Sequence, residues 1–103
     1  MLEKTLLKAL TAYRIELWSK KHHTEVEQKA ICGHIVSCQD YLNGGNKANG
    51  TWMEDNHSVL SKAVKHYYGL IQFEGTDMDE EYQDLNKCIV FYRNLYAQFG
   101  LDY

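Results

Sequence analysis

The chain has 103 residues, of which 45% are apolar, 13% aromatic and 24% charged, with a formal charge of −3. That is enough for one domain with its own core, it is not the composition of a disordered chain, and it lacks the clustered Lys and Arg that nucleic-acid binding requires. No apolar run approaches the roughly 20 residues of a membrane span, and three cysteines with no secretory signal suit a reducing, cytoplasmic setting better than a disulfide framework.

From residue 2 to residue 19, Leu2, Leu6, Leu10, Tyr13 and Leu17 recur at the helical period and form one apolar stripe. Leu7 and Trp18 fall on a second line rotated from it, which predicts a helix with two neighbours. Glu3 inside a periodic pattern, with no small-residue cleavage site behind it, marks this opening as a helix rather than a signal peptide. "SKKHH", Ser19 to His23, then interrupts the period. It is the closest the chain comes to a phosphate-binding patch, and a solvated turn is the simpler reading. Thr24 and Glu27 have the spacing of a capping box, which starts a second helix over residues 25–42.

That second helix contains "ICGHIVSC", Ile31 to Cys38, whose two cysteines and histidine raise the question of a metal or redox site. Each helical residue turns about 100° and rises about 1.5 Å, so Ile31, Ile35, Cys38 and Leu42 share the face that should point inward. His34 lies one turn before Cys38 and about 40° from it, so the two are placed to meet. Cys32 is displaced from Cys38 by about 9 Å along the axis and about 120° around it, too far for a disulfide. A structural zinc site needs four ligands, and this segment supplies two at most. Cys88 would have to arrive through the tertiary fold, so buried apolar thiols are expected instead.

"NGGNKANG", Asn43 to Gly50, favours turns and predicts a loop over residues 43–55. It matches neither a phosphate-binding P-loop nor an EF-hand. Trp52 and Met53 follow it and belong either in a core or against a partner. A third helix is predicted over residues 56–73, with Leu60, Val64, Tyr67 and Ile71 on one side. Glu54 and His57 have the spacing used in di-metal carboxylate bundles, but a single copy at a helix start reads as capping and solvation. His66, beside Tyr67 and Tyr68, reads as a boundary residue that could titrate or bond a tyrosine.

"EGTD" breaks the third helix, with Gly75 as its cap, and Thr76 or Asp77 opens a fourth helix over residues 77–99. Acids at Asp77, Asp79, Glu80 and Glu81 suit its positive end. Met78, Tyr82, Leu85, Ile89, Tyr92, Tyr96 and Phe99 form its buried stripe, and Gly100 ends it. Phe91 points away from that stripe among Lys87, Asn94 and Gln98, as an interface aromatic would.

These patterns predict an all-α chain: a small antiparallel four-helix bundle built as two helical hairpins, or three helices if the first break is only a kink, in one domain over residues 1–103. No strained turn or glycine-rich loop presents a nucleophile to a base, so an enzyme is not expected. The expectation is a cytoplasmic protein–protein interaction module of adaptor, inhibitor or regulatory-subunit type. It would self-associate, need no cofactor, and bind neither nucleic acid nor membrane. Its contact residues would be Leu7, Trp18, Trp52, Met53 and Phe91. The alternative is a metal- or small-ligand-binding bundle that draws on His34, Cys38, His57, His66 and Cys88.

Overall fold

The computed structural model describes residues 2–19, 24–74 and 79–103, and the protein is an all-α bundle of five helices with no strand among those residues. Helix α1 spans Leu2–Ser19, α2 Glu25–Asn43, α3 Gly50–Asp55, α4 His57–Glu74 and α5 Asp79–Gln98. The capping box at α2 is formed as the spacing predicts. The Thr24 hydroxyl accepts from the Glu27 amide, and the Glu27 carboxylate accepts from the Thr24 amide, both at 3.2 Å. These bonds satisfy donors that a helix start leaves unpaired.

Helix α5 stops in a Schellman motif. The Leu101 amide donates to the Tyr96 carbonyl and the Gly100 amide to that of Ala97, with Gly100 at φ +74°. A side chain is disfavoured at that angle, so glycine is the residue that suits the position.

Polar contacts fix how the helices run. Gln28 donates to the Leu17 carbonyl and Gln39 to the Thr11 hydroxyl, so α2 is antiparallel to α1. Ser61 bonds Tyr96 at 2.7 Å and Tyr67 bonds Glu81 at 3.0 Å, so α5 is antiparallel to α4. The two hairpins meet through α1, whose most extensive contact is with α4 and which also touches α2 and α5. Leu6 and Leu10 of α1, Ile35 of α2, Leu60 and Val64 of α4, and Leu85 and Tyr92 of α5 are fully buried at this junction. Each such aliphatic side chain contributes about 1.5–3 kcal/mol by leaving water. The buried Thr5 and Ser61 hydroxyls are matched: Thr5 donates to Asp84 at 2.9 Å and Ser61 bonds Tyr96.

Three expectations need correction. Residues 43–55 are not all loop, because Gly50–Asp55 forms α3. The Asn49 side chain accepts from the Trp52 amide at 2.8 Å and so nucleates a helix just after the glycines. Phe99 does not join the buried stripe: α5 ends at Gln98, and Phe99 is 49% exposed. Phe91 does not stand on a polar back face. It is half-buried, packs on the core and meets the Tyr92 ring edge-on at 5.1 Å. The "KKHH" turn, the Gly75 cap, the start of the last helix at Thr76 or Asp77, and Met78 lie outside the described residues.

Candidate functional site

The inward stripe of α1, which includes Leu6, Leu10, Tyr13 and Leu17, is buried. At about 100° per residue, Leu7, Thr11, Ile15 and Trp18 fall within an arc of about 80° whose centre lies about 130° around the helix from that stripe. Ile15 and Trp18 are each 64% exposed, while Leu7 is half-buried against the core. Lys4, Leu7, Lys8, Thr11, Ala12 and Ile15 line a shallow depression along this face, of about 420 Å³. Lys8 at its edge is paired with Glu81 of α5.

Trp18 continues the face into a groove with Glu25, Gln28, Lys29 and Cys32 of α2, and Val26 beside it is 78% exposed. One helix thus carries apolar side chains on two faces, and on the outer one Ile15 and Trp18 are exposed. Ile15 and Val26 were missed by the sequence reading. Two residues from Tyr13, Ile15 lies about 200° around the helix from the buried stripe, a signal that was available.

The other candidate contact residues sit elsewhere. Met53 is buried. Trp52 is half-buried and stacks on Tyr41 with centroids 4.5 Å apart and planes 10° from parallel. The helical turn of α3 folds the pair back onto the bundle, and this accounts for large apolar groups directly after a glycine-rich stretch. With Phe91 also packed inward and Leu7 half-buried against the core, Trp18 is the one of the five that is exposed.

The histidines and cysteines go to separate places. His34 does not meet Cys38: its Nε2 bonds Asn56 Oδ1 at 2.8 Å. His57 Nδ1 lies 3.3 Å from the Tyr96 hydroxyl, and His66 faces the Tyr13 ring at 6.4 Å. Cys38 and Cys88 are buried free thiols, and Cys32 is a half-buried one. Burial pushes the Cys38 thiol up to about 11. Burial, with the Asp84 carboxylate nearby, pushes Cys88 up to about 12. Neutral buried thiols are poor nucleophiles and poor ligands. Among the described residues, no three His, Cys, Asp or Glu side chains converge to hold a metal ion, and no helix is long and apolar enough to cross a membrane. Comparison with protein-family models, with curated proteins and with solved structures finds no match for the chain.

Proposed function

We propose that this chain is a non-enzymatic protein–protein interaction module, of adaptor, inhibitor or regulatory-subunit type, that self-associates through the outer face of α1. One observation carries the reading: Leu7, Ile15 and Trp18 form an apolar line turned about 130° from the core stripe, and Ile15 and Trp18 on it are each 64% exposed. Isolated exposed leucines or valines need no explanation, whereas an aligned apolar face on one helix marks an interaction site.

The line is also self-complementary. Leu7 and Ile15 stand four residues either side of Thr11, and Lys4 and Trp18 stand seven either side. An antiparallel two-fold crossing at Thr11 would set Leu7 of one copy against Ile15 of the other. The small Thr11 lies on the axis, and Lys4 reaches the indole face of the opposing Trp18. Such a contact is isologous and closed, as dimers generally are, and the lysine–indole pair adds a cation–π attraction.

Sedimentation equilibrium tests the reading. The wild type is expected to weigh twice the chain mass. Ile15→Glu is expected to weaken association by about tenfold or more and to leave the thermal transition unchanged, since Ile15 has no place in the core. A wild type that stays monomeric at its highest soluble concentration, or an Ile15→Glu variant that dimerises like the wild type, would overturn it.

A further inference from the structure

Residues 101–103 follow α5 without helical structure, and one of their three side chains returns to the bundle. Leu101 and Asp102 are exposed, whereas Tyr103 is half-buried against the core. We infer that this segment is a strap, and that the seat its tyrosine occupies between α4 and α5 is a binding site for a small para-substituted phenol. The inference does not rest on the proposed association through α1.

Four groups define the seat. The Tyr103 hydroxyl donates to the Ser61 carbonyl of α4. Its ring lies 6.0 Å from that of Tyr92 and 5.4 Å from that of Tyr96, the latter edge-on at 84°. Lys65 Nζ stands 5.3 Å from the ring centroid, within reach of a cation–π contact. Together they select a phenol. The aromatic walls and the lysine favour a ring, and the carbonyl rewards a hydroxyl donor but offers nothing to a carboxylate or an ether.

The seat stands without its occupant. Tyr92 is held by its bond to the Met53 carbonyl at 2.9 Å, and Tyr96 by its bond to the Ser61 hydroxyl at 2.7 Å. Both walls therefore have anchors of their own, as pre-organised ligand sites do. The Ser61 carbonyl lies inside α4, where the amide four residues on is its helical partner, so the departure of Tyr103 frees a second lone pair and orphans no backbone group. No helix has to break either. The Leu101 amide keeps its bond to the Tyr96 carbonyl, which confines the movement to Asp102 and Tyr103. Irregular segments of this kind open at the low end of a fold's local free energies. A ligand that binds the open form alone has its affinity lowered by the open fraction, so Tyr103 sets the concentration at which the site responds.

The test is a titration of the full chain with 4-methylphenol, followed by NMR of the Tyr103 ring and of the Ser61 and Lys65 amides. Toluene is the control that lacks the donor. In the wild type, saturable shifts are expected, with the Tyr103 ring moving to the position of an exposed tyrosine. Tyr103→Ala should bind the phenol about tenfold more tightly or better. Tyr103→Phe, which keeps the ring but not the bond to Ser61, should bind it about threefold more tightly than the wild type. Toluene should bind each form about threefold more weakly than 4-methylphenol or worse. Both variants should keep the helix content of the wild type, because α5 ends at Gln98. A Tyr103 ring that is not displaced at the solubility limit of the phenol, or that leaves only as the whole bundle unfolds, would overturn the assignment. So would toluene binding as tightly as the phenol, or a Tyr103→Ala chain that fails to fold, since Tyr103 would then be core rather than strap.

Discussion

The Tyr92 hydroxyl donates to the Met53 carbonyl at 2.9 Å from a side chain with no solvent exposure. Burial drives its phenol well above the ordinary tyrosine value, helped by the neighbouring Cys88 thiol and the Tyr103 and Tyr96 phenols, so the hydroxyl stays protonated and keeps donating. Tyr92→Phe keeps the ring and its contacts with Phe91 and Tyr103 but strips the carbonyl of that donor. The loss should cost about 1–3 kcal/mol, and calorimetry should show a midpoint lower by about 4–8 °C for each kcal/mol. An unchanged midpoint would mean that the hydroxyl contributes nothing to stability. Tyr92 was legible as a core residue from its position in the period, but its bond to Met53 was not. Pattern tells which face a side chain takes, while the acceptor it finds 39 residues away depends on how α3 docks.

At the scale of the element, α3 shows where local reading stops. Asparagine and glycine in "NGGNKANG" both read as helix breakers, yet asparagine also starts helices because its side chain replaces a missing backbone acceptor. Asn49 does this for Trp52 at 2.8 Å. Asn49→Ala should therefore cost about 1 kcal/mol and loosen α3 ahead of the bundle. The readout is amide exchange at Trp52 and Met53 together with Trp52 fluorescence, which senses the stack on Tyr41. Asn49→Asp keeps an acceptor and should restore both, so equal fraying in the two variants would refute the cap. The other helices were legible to within one or two residues at each described end, because each carries a long uninterrupted apolar period. Of the candidate site, the outer line of Leu7 and Trp18 could be read from helix angles alone. The destinations of Trp52, Phe91 and His34 could not, because each depends on a neighbour distant in sequence.

For the molecule as a whole, several acids are buried in their neutral form. Beyond the thiols of Cys38 and Cys88, burial raises the phenols of Tyr13 and Tyr103. In the unfolded chain the thiols lose their protons near the ordinary 9.0, whereas in the fold they hold them to about 11 and about 12. The unfolded state therefore binds fewer protons above pH 9, and folding stability must fall as pH rises through that window. Below the ordinary thiol value their contribution is present in full. Urea midpoints should hold steady from neutral pH to about 9 and then decline. A flat profile to pH 11 would contradict the burial of these groups. The proposed self-association would add a second dependence at this scale, because a dimer's midpoint rises with protein concentration.

The place of α1 between the two hairpins bears on how the chain is made. On a ribosome, Leu6 and Leu10 emerge early, but much of the wall they pack against belongs to α4, which is not complete until Glu74. At about 5–20 residues per second, that interval lasts several seconds. For that time the nascent α1 lacks its α4 wall, with part of its inner stripe as well as its outer one open to whatever binds apolar helices in the cell.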